Sequence, residues 1–387
     1  MAIDCGWDIG GVHLKVACLR SGGASGPRLV RRQEAFEIWR APGRLAERMS
    51  GLLRDLLAEA TAGPGGPTTP VRHAVTMTAE LSDVFPDRRA GVRAILAACA
   101  EALGTAEDAA GPILILGTGG ELVPLAEAGE ALHRVAAANW AASARLAARL
   151  VAASAGPATA GAGLGGPAGQ GLLIDVGSTT TDVIPLQDGR ADPEGRTDLE
   201  RLLSGELIYT GLLRTPPSAL ADRVPFGDGW CRVAPEAFTN MGDVYILLGR
   251  IGPGQYTVPA PDGRGHSREE CAARLARLVC AEPRDLGSER LGAIAAFLED
   301  RQVERIADAI RQVLSRRPGA APLAIVAGSG WFLGETAARR AGLKAARLSG
   351  FLPALGADWD AVAPAAALAI LQAEAHGERD LIPPDPA

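Results

Sequence analysis

A duplicated, two-lobed α/β fold with a central cleft is the class this sequence predicts, and three observations predict it. First, Asp8-Ile9-Gly10-Gly11-Val12-His13-Leu14-Lys15-Val16 is echoed by Asp175-Val176-Gly177-Ser178-Thr179-Thr180-Thr181-Asp182-Val183. Each copy follows or completes an apolar run, Cys5-Gly6-Trp7 or Leu172-Leu173-Ile174. Each therefore reads as a strand ending in a carboxylate, a glycine-containing turn and a second strand. Second, 387 residues exceed the usual size of one hydrophobic core, which favours two domains. Third, residues 155–170 are Gly, Ala and Pro almost throughout, a linker composition lying between the two copies.

In chain order, residues 5–36 read as three short strands, with turns at Ser21-Gly22-Gly23 and Gly26-Pro27, followed by a helix over about 44–60. A Gly/Pro-rich loop at 63–70 leads to a strand at 72–77, a helix near 87–103, a buried strand at 112–116 and one long Ala-rich helix from about 129 to 153. This βββαβαβα order assigns residues 1–154 to the first lobe. After the linker the cycle restarts in a second lobe, 171–360, with strands at 171–175, 179–186 and from 207. Helices are expected at 237–248, 268–278 and 288–314. A strand at 322–327 then meets Gly328-Ser329-Gly330, which opens a helix to about Arg340. A last helix near 361–376 is expected to join the first lobe. Residues at about 216–265 depart from the repeat and carry Trp230, Phe238, Tyr245 and Tyr256. That insertion is a candidate substrate wall, with surface elaboration or a dimer contact as its alternative.

Hydrophobic residues at 47% and charged residues at 22% are ordinary for a globular protein, while 48 glycines and the abundant alanine suggest a GC-rich genome. A formal charge of −6 and the lack of a basic stripe argue against nucleic acid as a partner. The six cysteines are scattered with no CxxC pair, which predicts reduced, mostly buried thiols and no zinc site. No apolar stretch reaches the ~18 residues of a membrane span, and the N-terminus has no signal-peptide pattern. A cytoplasmic protein is expected, and the aromatic insertion and Ala-rich helices leave a homodimer open.

The repeated turn suits a polyphosphate. Glycine has no Cβ to keep backbone N–H groups from phosphate oxygens, and bound phosphate commonly brings Mg²⁺, held by waters and a few carboxylates. Asp8 and Asp175 are the expected metal carboxylates. The three Gly-rich elements, at Asp8–Gly11, Asp175–Asp182 and Val326–Trp331, stand in the order of the actin-like (ribonuclease H-like) superfamily of acetate and sugar kinases, Hsp70 and actin, which the chain resembles. The Asp175–Val183 segment is similar to the signature of the hydantoinase and oxoprolinase branch.

A narrower resemblance rests on Gly6–Gly11, Met77–Phe85, Ala138-Asn139-Trp140, Thr239–Tyr245 and Gly328–Leu333. These segments resemble the tetrahydromethanopterin-linked C1 transfer pathway proteins, whose archaeal members make the aminomethylfuran phenyl ether of methanofuran. The resemblance implies small-molecule substrates: the phenol oxygen of a tyrosine, tyramine or glutamyl-tyramine attacks an aminomethylfuran diphosphate and diphosphate leaves. Kinases of the superfamily commonly carry Thr or Ser after the first Asp-x-Gly-Gly, whereas Val12 and His13 follow here, so ATP is not expected.

For that chemistry the leaving group needs a positive face. The expected contacts are backbone N–H groups of Gly10, Gly11, Gly177, Ser178 and Thr179, the hydroxyls of Thr180 and Thr181, and Lys15. A base is needed for a phenol of pKa ~10, with Asp182 first choice and Glu80, Asp83 and His13 as candidates. Glu80 and Asp83 follow a strand end, where open α/β sheets bind ligands, and serve alternatively as partners of the substrate amine. Asn139, Trp140, Asn240, Asp243, Gly328, Ser329 and Gly330 complete the expected substrate contacts. Competing readings make Asp8 and Asp175 turn-forming acids, Lys15 and His13 ordinary strand residues, Asn139 and Trp140 packing residues, and Asn240 and Asp243 a solvated helical pair. At the level of function, the alternatives are an ATP-dependent small-molecule kinase, a hydantoinase-type amidohydrolase or a nucleotide-binding regulator.

Overall fold

The computed structural model of the chain describes residues 2–21, 26–61, 70–104, 111–154, 169–317, 319 and 322–377. The 155–170 linker expectation lies almost wholly outside the described residues, as does most of the 63–70 loop.

The first sheet is built from β1 (Ile3–Ile9), β2 (His13–Arg20), β3 (Arg28–Ala35), β4 (Val71–Met77), β5 (Leu114–Leu116) and β6 (Leu122–Pro124). Its order is β3-β2-β1-β4-β5-β6, antiparallel from β1 to β3 and parallel across β1, β4 and β5. Helices α1 (Leu45–Ala60) and α2 (Arg88–Leu103) pack together beside it, and Asp87 caps α2 by accepting the Ala90 N–H at 2.8 Å. Two short helices, α3 (Leu125–Ala128) and α4 (Leu132–Val135), precede α5 (Asn139–Ser154).

The second sheet repeats the pattern with β7 (Gln170–Val176), β8 (Thr181–Gln187), β9 (Arg190–Ala191), β10 (Leu207–Ile208), β13 (Leu323–Ala327) and β14 (Ala345–Arg347), in the order β10-β8-β7-β13-β14 with β9 on β8. Helix α6 (Asp198–Ser204) precedes β10. Between β10 and β13 lie the hairpin β11 (Arg223–Phe226) and β12 (Gly229–Arg232), then α7 (Met241–Leu247), α8 (Arg268–Arg277) and α9 (Pro283–Ser315). Helix α10 (Trp331–Arg340) follows β13, and α11 (Ala363–Ala375) ends the described chain. The duplicated α/β architecture expected from the echo is therefore present, sheet for sheet.

Two helices tie the sheets together. Helix α5 packs on β7, β8 and β9, while α11 packs on β1, β2 and β4 and against α5. Their alanines are not compositional noise. Ala365, Ala366, Ala367 and Ala369 are fully buried, and α11 lies so near β1 that a Cβ on Gly6 would sit 2.0 Å from the Ala365 carbonyl oxygen. Small side chains let helix and strand backbones meet at this distance, and a larger residue on either would force the two apart.

Three expectations are corrected. The single helix over 129–153 is broken, because Ala137 adopts φ 50°, a left-handed conformation that no helix accommodates. The cysteines are not all free thiols: Cys5 and Cys18 sit directly opposite on β1 and β2 and are paired as a disulfide, Cα to Cα 4.1 Å, while Cys99 and Cys271 are buried and unpaired. The insertion does not present its aromatics as one wall, although Tyr256 borders a cavity with Phe36, Arg40 and His266. Tyr245 and Tyr256 are core residues and Trp230 is exposed beside Phe297. No helix among the described residues is long and apolar enough to cross a membrane.

Candidate functional site

The two echoed turns share one hydrogen-bond plan. The Gly10 N–H donates to the His13 carbonyl at 2.9 Å, and the Gly177 N–H donates to the Thr180 carbonyl at 2.9 Å. Each bond closes a tight reversal between antiparallel strands. A Cβ on Gly11 would meet nothing within 4 Å, so that backbone is open to the space between the sheets. The turns face a common cavity of about 580 Å³.

Asp8, Gly10, Gly11, His13, Lys15, Asp83, Asn139, Gly177, Ser178, Thr179, Thr180 and Asp182 all line it. Residues from separate regions of the chain are thus brought to one cleft. Asp8 stands opposite Lys15 in the β1–β2 ladder, with Lys15 Nζ 3.4 Å from its Oδ2, while its buried Oδ1 has no hydrogen-bond partner. Burial raises the Asp8 pKa and Lys15 opposes the rise. Asp175 stands opposite Asp182 in the β7–β8 ladder. It is 7% exposed and lies just behind the lining, where burial and then the charge of Asp182 push its pKa up to about 7, with Lys15 acting in the other direction. Asp182 pairs with Arg201 of α6, which also bonds Asp198 at 3.0 Å. Burial raises its pKa, and Arg201 opposes the rise.

His13 is buried, and its Nε2 shares a 2.6 Å hydrogen bond with the Thr257 hydroxyl. Burial, Lys15 and Arg214 hold its pKa down to about 3, so the ring is neutral. That is a poor setting for a base near neutral pH, and His13 serves instead to tie the first turn to the insertion. Glu80 is buried behind the lining with Oε2 unpartnered, and burial pushes its pKa up to about 7. Its neighbour Arg88 reaches across to Asp198 at 3.5 Å.

The remaining expected contacts fall elsewhere for stated reasons. Thr181 turns inward and donates to the Thr210 carbonyl at 2.7 Å, as strand alternation requires once Thr180 and Asp182 face the cleft. Trp140 is 1% exposed and lies under the Arg201 guanidinium, 4.9 Å from its ring centre. Asn240 and Asp243 begin α7: Asp243 Oδ2 accepts from the Asn240 N–H at 3.1 Å and from the Thr239 hydroxyl at 2.9 Å. Its Oδ1 takes Arg274 at 2.7 Å in a fully buried ion pair. The pair builds the second core and does not reach the cavity lining. Gly328, Ser329 and Gly330 also lie outside the lining. A Cβ on Gly328, at φ 86°, would fall 2.2 Å from the Val176 carbonyl oxygen, so the glycine serves close packing beneath Asp175.

Sequence reasoning missed Trp39, Arg201, Asp198, Tyr209 and Arg214, all of which line the cavity. Asp198 and Arg201 have a visible signal, an i, i+3 pair behind a Thr197–Glu200 capping box. Trp39 and Arg214 have none: Trp39 stands in a mixed Phe36-Glu37-Ile38-Trp39-Arg40 stretch and Arg214 is a single charge between Leu213 and Thr215.

Residues 72–357 match the hydantoinase/oxoprolinase family. The chain belongs to that family. This agrees with what the Asp175–Asp182 motif implied. Among named relatives, the (4-{4-[2-(gamma-L-glutamylamino)ethyl]phenoxymethyl}furan-2-yl)methanamine synthase of Methanocaldococcus jannaschii is 31% identical over 243 residues, 63% of this chain and 67% of that protein. The synthase of the same name from Methanococcus vannielii is 34% identical over 142 residues, 37% of this chain and 64% of that protein. Among solved structures, a nucleotide-free acetone carboxylase aligns with this hydantoinase/oxoprolinase family member over 95% of its length and 70% of its own at a TM-score of 0.53. With 11% identity, that likeness shows the fold alone.

Proposed function

We propose that the protein is an ether-forming transferase that joins a furfuryl diphosphate to a phenol oxygen, the linkage in the product for which the two archaeal relatives are named. The observation that carries the reading is the cleft itself. Two glycine turns and a cluster of desolvated carboxylates and cations converge on one cavity, and the relatives' synthase name supplies the substrate class.

The chemistry asks little covalent work of the protein. The furan oxygen delocalises positive charge as the CH₂–O bond to diphosphate breaks. The bond's electron pair leaves with diphosphate, and the phenol oxygen forms the new bond to the same carbon. The backbone N–H groups around Gly11 and Ser178 and the Lys15 ammonium stabilise the departing negative charge. Asp182 takes the phenolic proton, its raised pKa bringing it nearer the range in which a carboxylate works as a base. Asp83 pairs with the substrate ammonium. Mg²⁺, where bound, would be held by Asp8 and Asp175 and would neutralise the leaving diphosphate. These residues fit such an ion, since Asp8 Oδ1 is buried without a partner and one or two carboxylates plus substrate phosphate are a usual Mg²⁺ set. The reading takes the enzyme as cytoplasmic.

The test is a coupling assay on the full chain with aminomethylfuran diphosphate, Mg²⁺ and, in parallel, glutamyl-tyramine, tyramine or tyrosine, without nucleotide. Equimolar diphosphate and coupled ether are expected. A requirement for ATP with release of ADP would move the chain to the kinase reading.

A further inference from the structure

The segment from Thr210 to Thr215 is bonded to the second turn along its length. The Leu212 N–H donates to the Gly177 carbonyl at 2.9 Å, and those of Leu213 and Arg214 donate to the Ser178 carbonyl at 2.9 and 3.0 Å. Gly211 makes this approach feasible, because a Cβ there would lie 2.6 Å from the Thr179 backbone nitrogen. Behind the segment, Gln302 of α9 donates to the Thr210 hydroxyl at 2.9 Å and the Gly211 carbonyl at 2.8 Å, and its own amide oxygen accepts from the Tyr245 hydroxyl. This buried network fixes the backbone from which the Arg214 side chain projects.

That side chain is exposed, lines the cavity and lies 5.7 Å from the ring centre of Trp39, which follows β3 in the first lobe. Three cations line the cavity. Lys15 is held by Asp8, and Arg201 by Asp182 and Asp198. Arg214 alone has no carboxylate partner among the described residues, although four aspartates share the lining. An arginine anchored on a glycine turn, steadied by an aromatic face and unneutralised is suited to planar, bidentate recognition of phosphate oxygens.

We propose that Arg214 binds the phosphoryl group seated at the Gly177–Ser178 turn and stabilises it as the leaving group. The inference rests on the ether-synthase reading for the identity of that group. The shared chemistry is a terminal phosphate of a diphosphate, from either a furfuryl diphosphate or a nucleotide. Calorimetric titration of the full chain with Mg²⁺ and either inorganic diphosphate or ADP, for the wild type, Arg214→Ala and Arg214→Lys, distinguishes the two sources.

Arg214→Ala is expected to weaken diphosphate binding about 10- to 100-fold, with Arg214→Lys between it and wild type. Affinity for glutamyl-tyramine and the ligand-free melting temperature should not change, which separates a phosphate contact from a structural one. In turnover, KM for the furan diphosphate should rise and KM for the phenol should not. Equal diphosphate affinity in wild type and Arg214→Ala overturns the inference while leaving the reaction standing. Arg214-dependent binding of ADP without binding of diphosphate sustains the inference and sinks the ether-synthase reading. A wild type that binds neither overturns both.

Discussion

The two echoed hairpins have the same turn bond and the same register but opposite electrostatics. In the first, Asp8 faces Lys15 across the ladder; in the second, the equivalent pair is Asp175 and Asp182. One hairpin neutralises its buried acid within itself. The other stacks two acids and must borrow Arg201 from α6, and burial together with the Asp182 charge pushes the Asp175 pKa up to about 7. Duplication fixed the geometry, and divergence at a single ladder position made one copy a neutral platform and the other a charged one. The charged copy is where a cation or a proton has most to gain.

The largest effect should come from removing the acid at the charged copy. Asp175→Asn is expected to lower kcat/KM by about 10³-fold or more while the far-UV circular dichroism is retained, as loss of a metal or electrostatic group commonly does. Comparable turnover in the variant would exclude Asp175 from the chemistry.

Next, Arg201→Ala leaves Asp182 buried without its partner. It should destabilise the fold by about 3–5 kcal/mol in denaturant titration at pH 8, the scale for breaking a buried ion pair. A loss under about 1 kcal/mol would show the pair to be solvated.

The sharpest contrast is between the hairpins themselves. A carboxyl whose native pKa is raised binds a proton more tightly when folded. Its stabilising contribution is complete below its ordinary value of 3.8 and is lost as pH rises through about 7. Asp175→Asn should therefore melt higher than wild type at pH 8 in chelator-treated buffer, by at least about 2–4 °C, and match it near pH 4. Asp8→Asn should gain less at pH 8 than Asp175→Asn, because the Asp8 pKa is raised by burial but the rise is opposed by Lys15, which loses its counter-charge in the variant. A gain in Asp8→Asn as large as that in Asp175→Asn would remove the distinction. Glu80, raised from 4.5 to about 7, predicts a smaller gain at pH 8 for Glu80→Gln. The smallest effect belongs to Thr257→Val, which breaks the His13 bond at a cost of about 1 kcal/mol in the same titration.

The duplicated fold was legible because strands end in acid-glycine turns at both copies and because Gly- and Pro-rich stretches such as 63–70 separate the elements. The cleft's backbone groups were legible for the same reason. What the sequence hid was tertiary. Asn240 and Asp243 have the look of a polar site, but Arg274, 31 residues on, claims the carboxylate. The break at Ala137 carries no glycine to announce it. Cys5 and Cys18 are paired by ladder register, which spacing alone does not reveal. Arg201 and Arg214 reach the cleft only because α6 and the 210–215 segment fold back against β8 and the second turn.

The central claim is that both turns hold one diphosphate between them, and the most direct measurement is a crystal structure of the chain with diphosphate and Mg²⁺. The account predicts phosphate oxygens within hydrogen-bond distance of the N–H groups of Gly11 and Ser178 together, with Asp8 and Asp175 around the ion. Diphosphate bound at one turn alone, or outside the cleft, would contradict it.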